Sequence, residues 1–363
     1  MSPAHDPALT RRALLRGGLG AVTALAAPSR AGAQPAPARP APVDPRERHL
    51  ANLRQLTFGG QNAEAYWDWT GTRIVFQSTR PSYGCDQIFT MRDDGSDVRL
   101  VSTGTGRTTC AFFFPDGRRL IYASTHHAAA ACPPPADRSA GYVWAIYPSY
   151  EIYAADADGG RLTRLTTNDG YDAEGAVSSD GSRIVFTSLR EGDLDLYVMD
   201  ADGGNVRRLT DRLGYDGGPF FSWDGRFIVY RAGYPDTAAE RDEYLELLRR
   251  SLVRPRKLEI FTMKADGTGV RQVTRNGSAN FAPFMHPNGQ QIIFSSNLHD
   301  PSGRSFALYV INVDGSGLER VTWTDPFASF PMFTRDGTKL VFSSSRQAGA
   351  PRDINVFVAD WAP

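Results

Sequence analysis

Neither sign of charge predominates in this chain of 363 residues, where 40 Lys and Arg balance 40 Asp and Glu. Nucleic acids and anionic membrane surfaces select a basic excess or a basic stripe, so neither is an expected partner. An envelope protein or peptide, a sugar or a polar small molecule fits better. No apolar run reaches the roughly 20 residues that a spanning helix needs, so no membrane span is expected. Catalytic signatures are scarce too. Neither a Gly-x-Ser-x-Gly elbow nor a His-Glu-x-x-His sequence occurs, and serine hydrolase and zinc peptidase chemistry lack their motifs without them. Only three cysteines and six histidines are present.

What the chain has is repetition. Residues 171 to 210, YDAEGAVSSDGSRIVFTSLREGDLDLYVMDADGGNVRRLT, hold four short runs rich in β-branched and aromatic residues. Asp180-Gly181 and Asp202-Gly203 separate pairs of runs, and Asp-Gly between apolar runs marks a hairpin because both residues tolerate positive φ. The unit is therefore a four-stranded antiparallel meander. Its first turn recurs as Thr70-Gly71, Asp116-Gly117, Asp180-Gly181, Asp224-Gly225, Asn288-Gly289 and Asp336-Gly337, which makes six units. The sixth lacks a fourth strand, while Leu53-Arg54-Gln55-Leu56-Thr57 ahead of the first unit matches the fourth-strand signature Arg208-Leu209-Thr210. An N-terminal strand completing the last sheet removes two open edges. The expected fold is all-β: a six-bladed β-propeller of four-stranded antiparallel blades, closed by that strand and spanning residues 50–363.

The runs Phe114-Pro115-Asp116-Gly117, Ile184-Val185-Phe186-Thr187-Ser188 and Leu196-Tyr197-Val198-Met199-Asp200-Ala201-Asp202-Gly203 resemble the repeat of the TolB-type β-propeller family. The resemblance covers nearly all of the chain from Leu50 to Trp361. It implies a periplasmic binding or scaffolding propeller, here without the α/β domain that precedes the propeller in the family's namesake. More distant members are propeller lyases acting on acidic sugars, so a metal-assisted lyase is the alternative.

Residues 1–33 read as an export signal. Arg11-Arg12 precede a weakly apolar run from Gly17 to Ala27 and the small-residue site Ala31-Gly32-Ala33, a pattern that resembles a twin-arginine signal and lacks a lipobox cysteine. Residues 34–49, rich in Pro and Ala, read as a linker. A periplasmic or secreted monomer is expected.

In an up-and-down blade both Asp-Gly turns fall on one face. The irregular loops share the other, where function is expected. Two rings of residues begin the innermost strands and should rim the central channel there. One is Glu64, Cys110, Glu174, Gly218, Ala282 and Phe330; the other is Asn62, Thr108, Asp172, Asp216, Asn280 and Ala328. Glu64, Asp172, Glu174 and Asp216 would crowd one mouth with Asn280, and gathered carboxylates call for a divalent cation or a donor-rich ligand. The other reading has these acids capping loop amides and pairing with Arg107, Arg190 or Arg80. His126, His127 and His299 fall on loops of the same face, and imidazole would serve as a base or a ligand-binding group.

The two long units place inserts on that face as well. One runs from about Ala128 to Tyr150 with Tyr142, Trp144, Tyr147 and Tyr150. The other runs from about Pro235 to Lys257 and carries an amphipathic helical pattern in which Tyr244, Leu247, Leu248 and Leu252 share a side. Together they should wall a groove across the mouth. Of the cysteines, Cys110 with Cys132 is the preferred bridge and Cys85 with Cys110 nearly as good, since sequence does not decide connectivity.

Overall fold

The structure is a computed structural model that describes residues 37–139 and 141–362. The export signal expected at residues 1–33 lies outside the described residues. The described residues form six four-stranded antiparallel blades, and in the last of them Leu50–Gln55 pairs with Asn355–Trp361 as the fourth strand. The innermost strands are Gln61–Trp67, Thr108–Phe113, Asp172–Val177, Tyr215–Phe221, Asn280–Met285 and Ala328–Phe333.

The fourth-strand signature has a physical explanation. Outermost strands are only two residues long in the first five blades, and the hydroxyl residue two positions after each, Ser102 in the first blade and a threonine in the others, continues the ladder. Thr166 Oγ1 accepts from Ile152 N at 2.8 Å, Thr210 from Leu196 N at 2.9 Å, and Thr322 from Leu308 N at 2.9 Å. Thr57, from the other end of the chain, does the same for Val356 N at 2.9 Å. The preceding long side chain folds back on the threonine carbonyl, as Arg208 Nε does at 2.6 Å and Gln55 Nε2 at 2.8 Å. Closure thus reuses the chemistry of every other blade.

Part of the stretch expected as a linker joins this closure. Arg39–Pro40 pairs with Arg54 and Gln55 as a fifth strand, and Ala38, Ala41 and Val43 pack on the core. Glu47 is buried and ion-paired with Arg346 at 2.7 Å, with Asp325 on the same guanidinium at 2.9 Å. Composition gave no hint of that charge cluster.

Each innermost strand carries a β-bulge at the same place, between Ala63 and Tyr66 in the first blade and between Gly217 and Phe220 in the fourth. The bulged residues Glu64, Cys110, Glu174, Gly218, Ala282 and Phe330 all have φ between 45° and 58°. Only Gly218 adopts that left-handed backbone without steric cost, so the other five store local strain.

The two inserts meet. Trp144–Ala145 from the second blade pairs antiparallel with Leu252–Val253 from the fourth, and Val143, Leu247 and Leu252 form a small core of their own. Helix α1, Ala238–Arg249, is the one helix among the described residues; Thr237 caps it by accepting from Glu240 N at 3.2 Å. It is neither long nor apolar enough to cross a membrane. A second apolar cluster including Ile146, Tyr150, Tyr171, Leu194, Tyr215, Leu248 and Val253 fixes the joined inserts onto the second, third and fourth blades.

Candidate functional site

The six bulged residues converge on one small cavity of about 50 Å³ in the mouth of the central channel, on the loop-rich face. A bulge bends its strand and re-aims the extra side chain. Tyr66 and Phe220, two positions further along their strands, floor the cavity, and Phe112 and Phe284 at the matching positions pack with them, ring centroids 5.2 to 6.0 Å apart. The pocket is therefore blind.

Glu174 is the centre of its polar network. Its Oε2 accepts from Gly218 N at 2.8 Å and Thr187 Oγ1 at 2.9 Å, and Tyr215 Oη lies 3.1 Å from both oxygens. Arg231 donates to Glu174 Oε1 at 2.5 Å and to Tyr215 Oη at 2.6 Å. Burial opposes the charge on Arg231, but the Glu174 carboxylate beside it holds its pKa above the usual guanidinium value. Glu64, in the matching position of the first blade, accepts from Cys110 N at 2.8 Å. Burial raises its pKa, as it raises that of the Cys110 thiol, which is therefore protonated and poorly nucleophilic at neutral pH.

Arg231 escaped the sequence analysis, although a signal for it exists. The fifth residue of the second strand is Gln77, Ala123, Thr187, Arg231, Ser295 and Ser343 around the ring, so one position meets an arginine where small or amide side chains otherwise stand. The Gly217-Gly218 pair is its complement. A Cβ on Gly218 would lie 1.9 Å from Arg231 Nη1, and one on Gly217 would lie 2.2 Å from Tyr215 Oη. The two glycines clear the space that the arginine and tyrosine fill.

Of the residues expected at the site, Glu64 and Glu174 line this cavity and the others do not. The ring of Asn62, Thr108, Asp172, Asp216, Asn280 and Ala328 is a clasp between blades. Each backbone N–H donates to the strand end of the preceding blade: Asn62 to Ile354 O at 2.8 Å, Asp172 to Tyr150 O at 3.1 Å, Asp216 to Leu194 O at 2.8 Å and Asn280 to Leu258 O at 3.1 Å. Strand alternation places residues two apart on one face, but the left-handed bulge between the rings breaks that rule. Asp172 is fully buried and paired with Arg190 at 3.1 Å, with its pKa pushed up to about 6 by burial. Asp216, also fully buried, accepts from Tyr234 Oη at 2.7 Å, and burial pushes it up to about 8. Asn280 Nδ2 donates to Leu258 O at 2.6 Å. Of the pairings with Arg107, Arg190 or Arg80 expected for these acids, the structure has the one between Asp172 and Arg190.

The histidines are spread over the outer blades. His126 lies 4.4 Å from the ring of Tyr153 and His299 lies 6.4 Å from Tyr309, both on third strands, with His127 exposed beside the former. Arg190 sits over Tyr197 in the same way in the third blade, at 4.9 Å. These histidines are thus local variants of a packing position. Among the described residues no three His, Cys, Asp or Glu side chains are gathered as a metal site. The disulfide differs as well: Cys85 joins Cys132, Cα atoms 5.9 Å apart, and Cys110 is free. As a bulge residue Cys110 is aimed at the channel, away from the insert that carries Cys132.

Above the pocket the joined inserts bring Trp144 over Arg231, 5.4 Å from guanidinium to ring. From Trp144 a half-buried aromatic arc follows the mouth through Phe281, Phe306, Phe327 and Phe330, in steps of 5.0 to 6.4 Å. Tyr147 and Tyr150, expected in this wall, turn instead into the insert: Tyr147 Oη donates to Pro134 O at 2.6 Å and Tyr150 is buried.

Comparison with known proteins agrees with the geometry. Residues 144–239 match the family model described as the TolB beta propeller domain. No curated protein matches the chain. Among solved structures, TolB from Acinetobacter baumannii is 18% identical with a TM-score of 0.55, over 82% of this chain and 65% of that one. An oligogalacturonate lyase in complex with manganese is 14% identical with a TM-score of 0.52, over 90% and 97%. A gluconolactonase from Xanthomonas campestris is 18% identical with a TM-score of 0.58, over 90% and 98%. At such identities the structural likeness speaks for the fold alone, and it extends to a TolB, a lyase and a lactonase. Ring architecture identifies a six-bladed β-propeller, and residues 144–239 of it are similar to the TolB beta propeller domain.

Proposed function

We propose that this protein is an exported binding module whose ligand or partner segment enters the blind pocket on the loop-rich face. One observation carries the reading: all six bulged residues, five of them in a strained left-handed backbone, are aimed at a single pocket roofed on one side by two joined inserts. Backbone strain that recurs around a ring and converges on one point is characteristic of a site held ready. Export is supported by the disulfide Cys85–Cys132, a bond that persists in oxidising compartments, and a periplasmic or secreted location follows.

The likeness to the lyase keeps an enzyme acting on acidic sugars as the second reading, although the histidines that would supply its base pack on third strands. New ultraviolet absorbance on incubation with uronic-acid polysaccharides would favour it.

Ala282→Phe tests the binding reading. Phe330 shows that the bulge accepts a phenylalanine, and at position 282, where the side chain also lines the pocket, it would fill the cavity. The variant should keep the wild-type melting temperature and lose capture of an envelope partner or ligand; unchanged capture would refute the pocket.

A further inference from the structure

The two pocket glutamates occupy matching positions two blades apart, yet they are satisfied differently. Each accepts the bulge N–H of the following blade at 2.8 Å. Around Glu174 the remaining positions are filled by Thr187, Tyr215 and Arg231. Around Glu64 the donors are Cys110 N, a long contact from Thr109 Oγ1 at 3.4 Å and the Cys110 thiol, all neutral, and among the described residues no Lys, Arg or His side chain pairs with it. The cause is legible in the chain. Where the fourth blade places Arg231, the second places Ala123; where the fourth places Tyr215, the second places Arg107, whose guanidinium lies 3.9 Å from Asp86. The pocket wall near Glu64 is completed by Tyr66, Phe220 and Phe330, and aromatic faces attract desolvated organic cations.

We propose that the pocket binds a ligand bearing an ammonium group, which takes beside Glu64 the place that Arg231 fills beside Glu174. This rests on the pocket being the ligand site. With Glu174 and Arg231 cancelling, the uncompensated charge of the pocket is that of Glu64. An anionic ligand is repelled, and a neutral one leaves that carboxylate without an ion pair.

The charged and titratable groups facing Glu64 are Glu174, Arg231, Cys110 and Tyr66. Burial keeps Cys110 and Tyr66 neutral, while burial and the Glu174 charge raise Glu64 against the Cys110 contacts and Arg231. An ammonium ligand binds the carboxylate form. Its affinity should therefore rise with pH above the ordinary carboxylate range and level off once Glu64 is ionised.

Isothermal titration of the mature full-length protein at neutral pH with n-butylammonium, 1-butanol and butyrate tests this, with a capped pentapeptide containing one lysine as a further arm. The expected result is binding of butylammonium or of the lysine peptide at least about tenfold tighter than butanol, with butyrate weakest. Preference for the peptide would assign the ammonium to a protein side chain, and preference for butylammonium to a free amine. Glu64→Gln should erase the tenfold preference, and Glu64→Asp should restore part of it. If butanol or butyrate binds as tightly, and Ala282→Phe abolishes that binding, the pocket stands and the ammonium assignment falls. Silence from both ammonium probes also overturns it, and binding indifferent to Ala282→Phe overturns the pocket itself.

Discussion

Asp216 illustrates how a single buried acid is expected to shape stability. Its pKa is pushed up to about 8 in the folded protein from an ordinary value near 3.8. A group that binds its proton more tightly when folded stabilises the fold fully below the unfolded value, and that stability is lost as pH rises through the folded one. Asp172 and Asp195, each pushed up to about 6 by burial, act in the same direction. Stability should therefore fall between about pH 4 and pH 8, and Asp216→Asn should flatten the decline by a few kcal/mol, as read from urea midpoints at both ends of that range. Arg346 is the opposite case. Replacing it with Met leaves Glu47 and Asp325 buried without a partner, for an expected loss of about 3–5 kcal/mol in the same measurement. At this scale the sequence was only partly readable. Glu64 and Glu174 could be placed because they fall at a fixed distance before a turn. Arg231 could not, because its reach into the pocket depends on two glycines on another strand. Asp172, Asp216 and Asn280 were set in the wrong place by a bulge that reverses strand alternation.

The elements were more legible than their contacts. Turn spacing yields the blades, and helical periodicity yields α1, because both are local. The pairing of Trp144–Ala145 with Leu252–Val253 joins stretches more than a hundred residues apart and leaves no local pattern. The Cys85–Cys132 bond was missed for the same reason: it ties the insert of the second blade to a loop of the first. It closes a loop with a sequence separation of 47 residues, for which chain entropy alone gives about 4 kcal/mol. Cys85→Ser with Cys132→Ser should lower stability by up to that amount and increase amide exchange across the insert, while the blade cores keep their protection.

The molecule as a whole was the most readable of all, since a missing fourth strand at one end and a spare one at the other admit few arrangements other than a ring. Closure depends on Leu53, which is buried, and on the Thr57 hydroxyl. Leu53→Asp should open the last blade, and a loss of roughly 3 kcal/mol would lower the melting temperature by about 4–5 °C; calorimetry would decide.

The strand Asn355–Trp361 also sets an order of events. It follows the other five blades in the chain, and it holds a strand that precedes them, so during synthesis Leu50–Gln55 has no partner in the sixth blade until those blades have been assembled. Loss of Asn355–Trp361 would leave Leu50–Gln55 without its neighbour in the sixth blade and its edge available to proteases and to other chains. The ring therefore doubles as a check that the sixth blade has been completed.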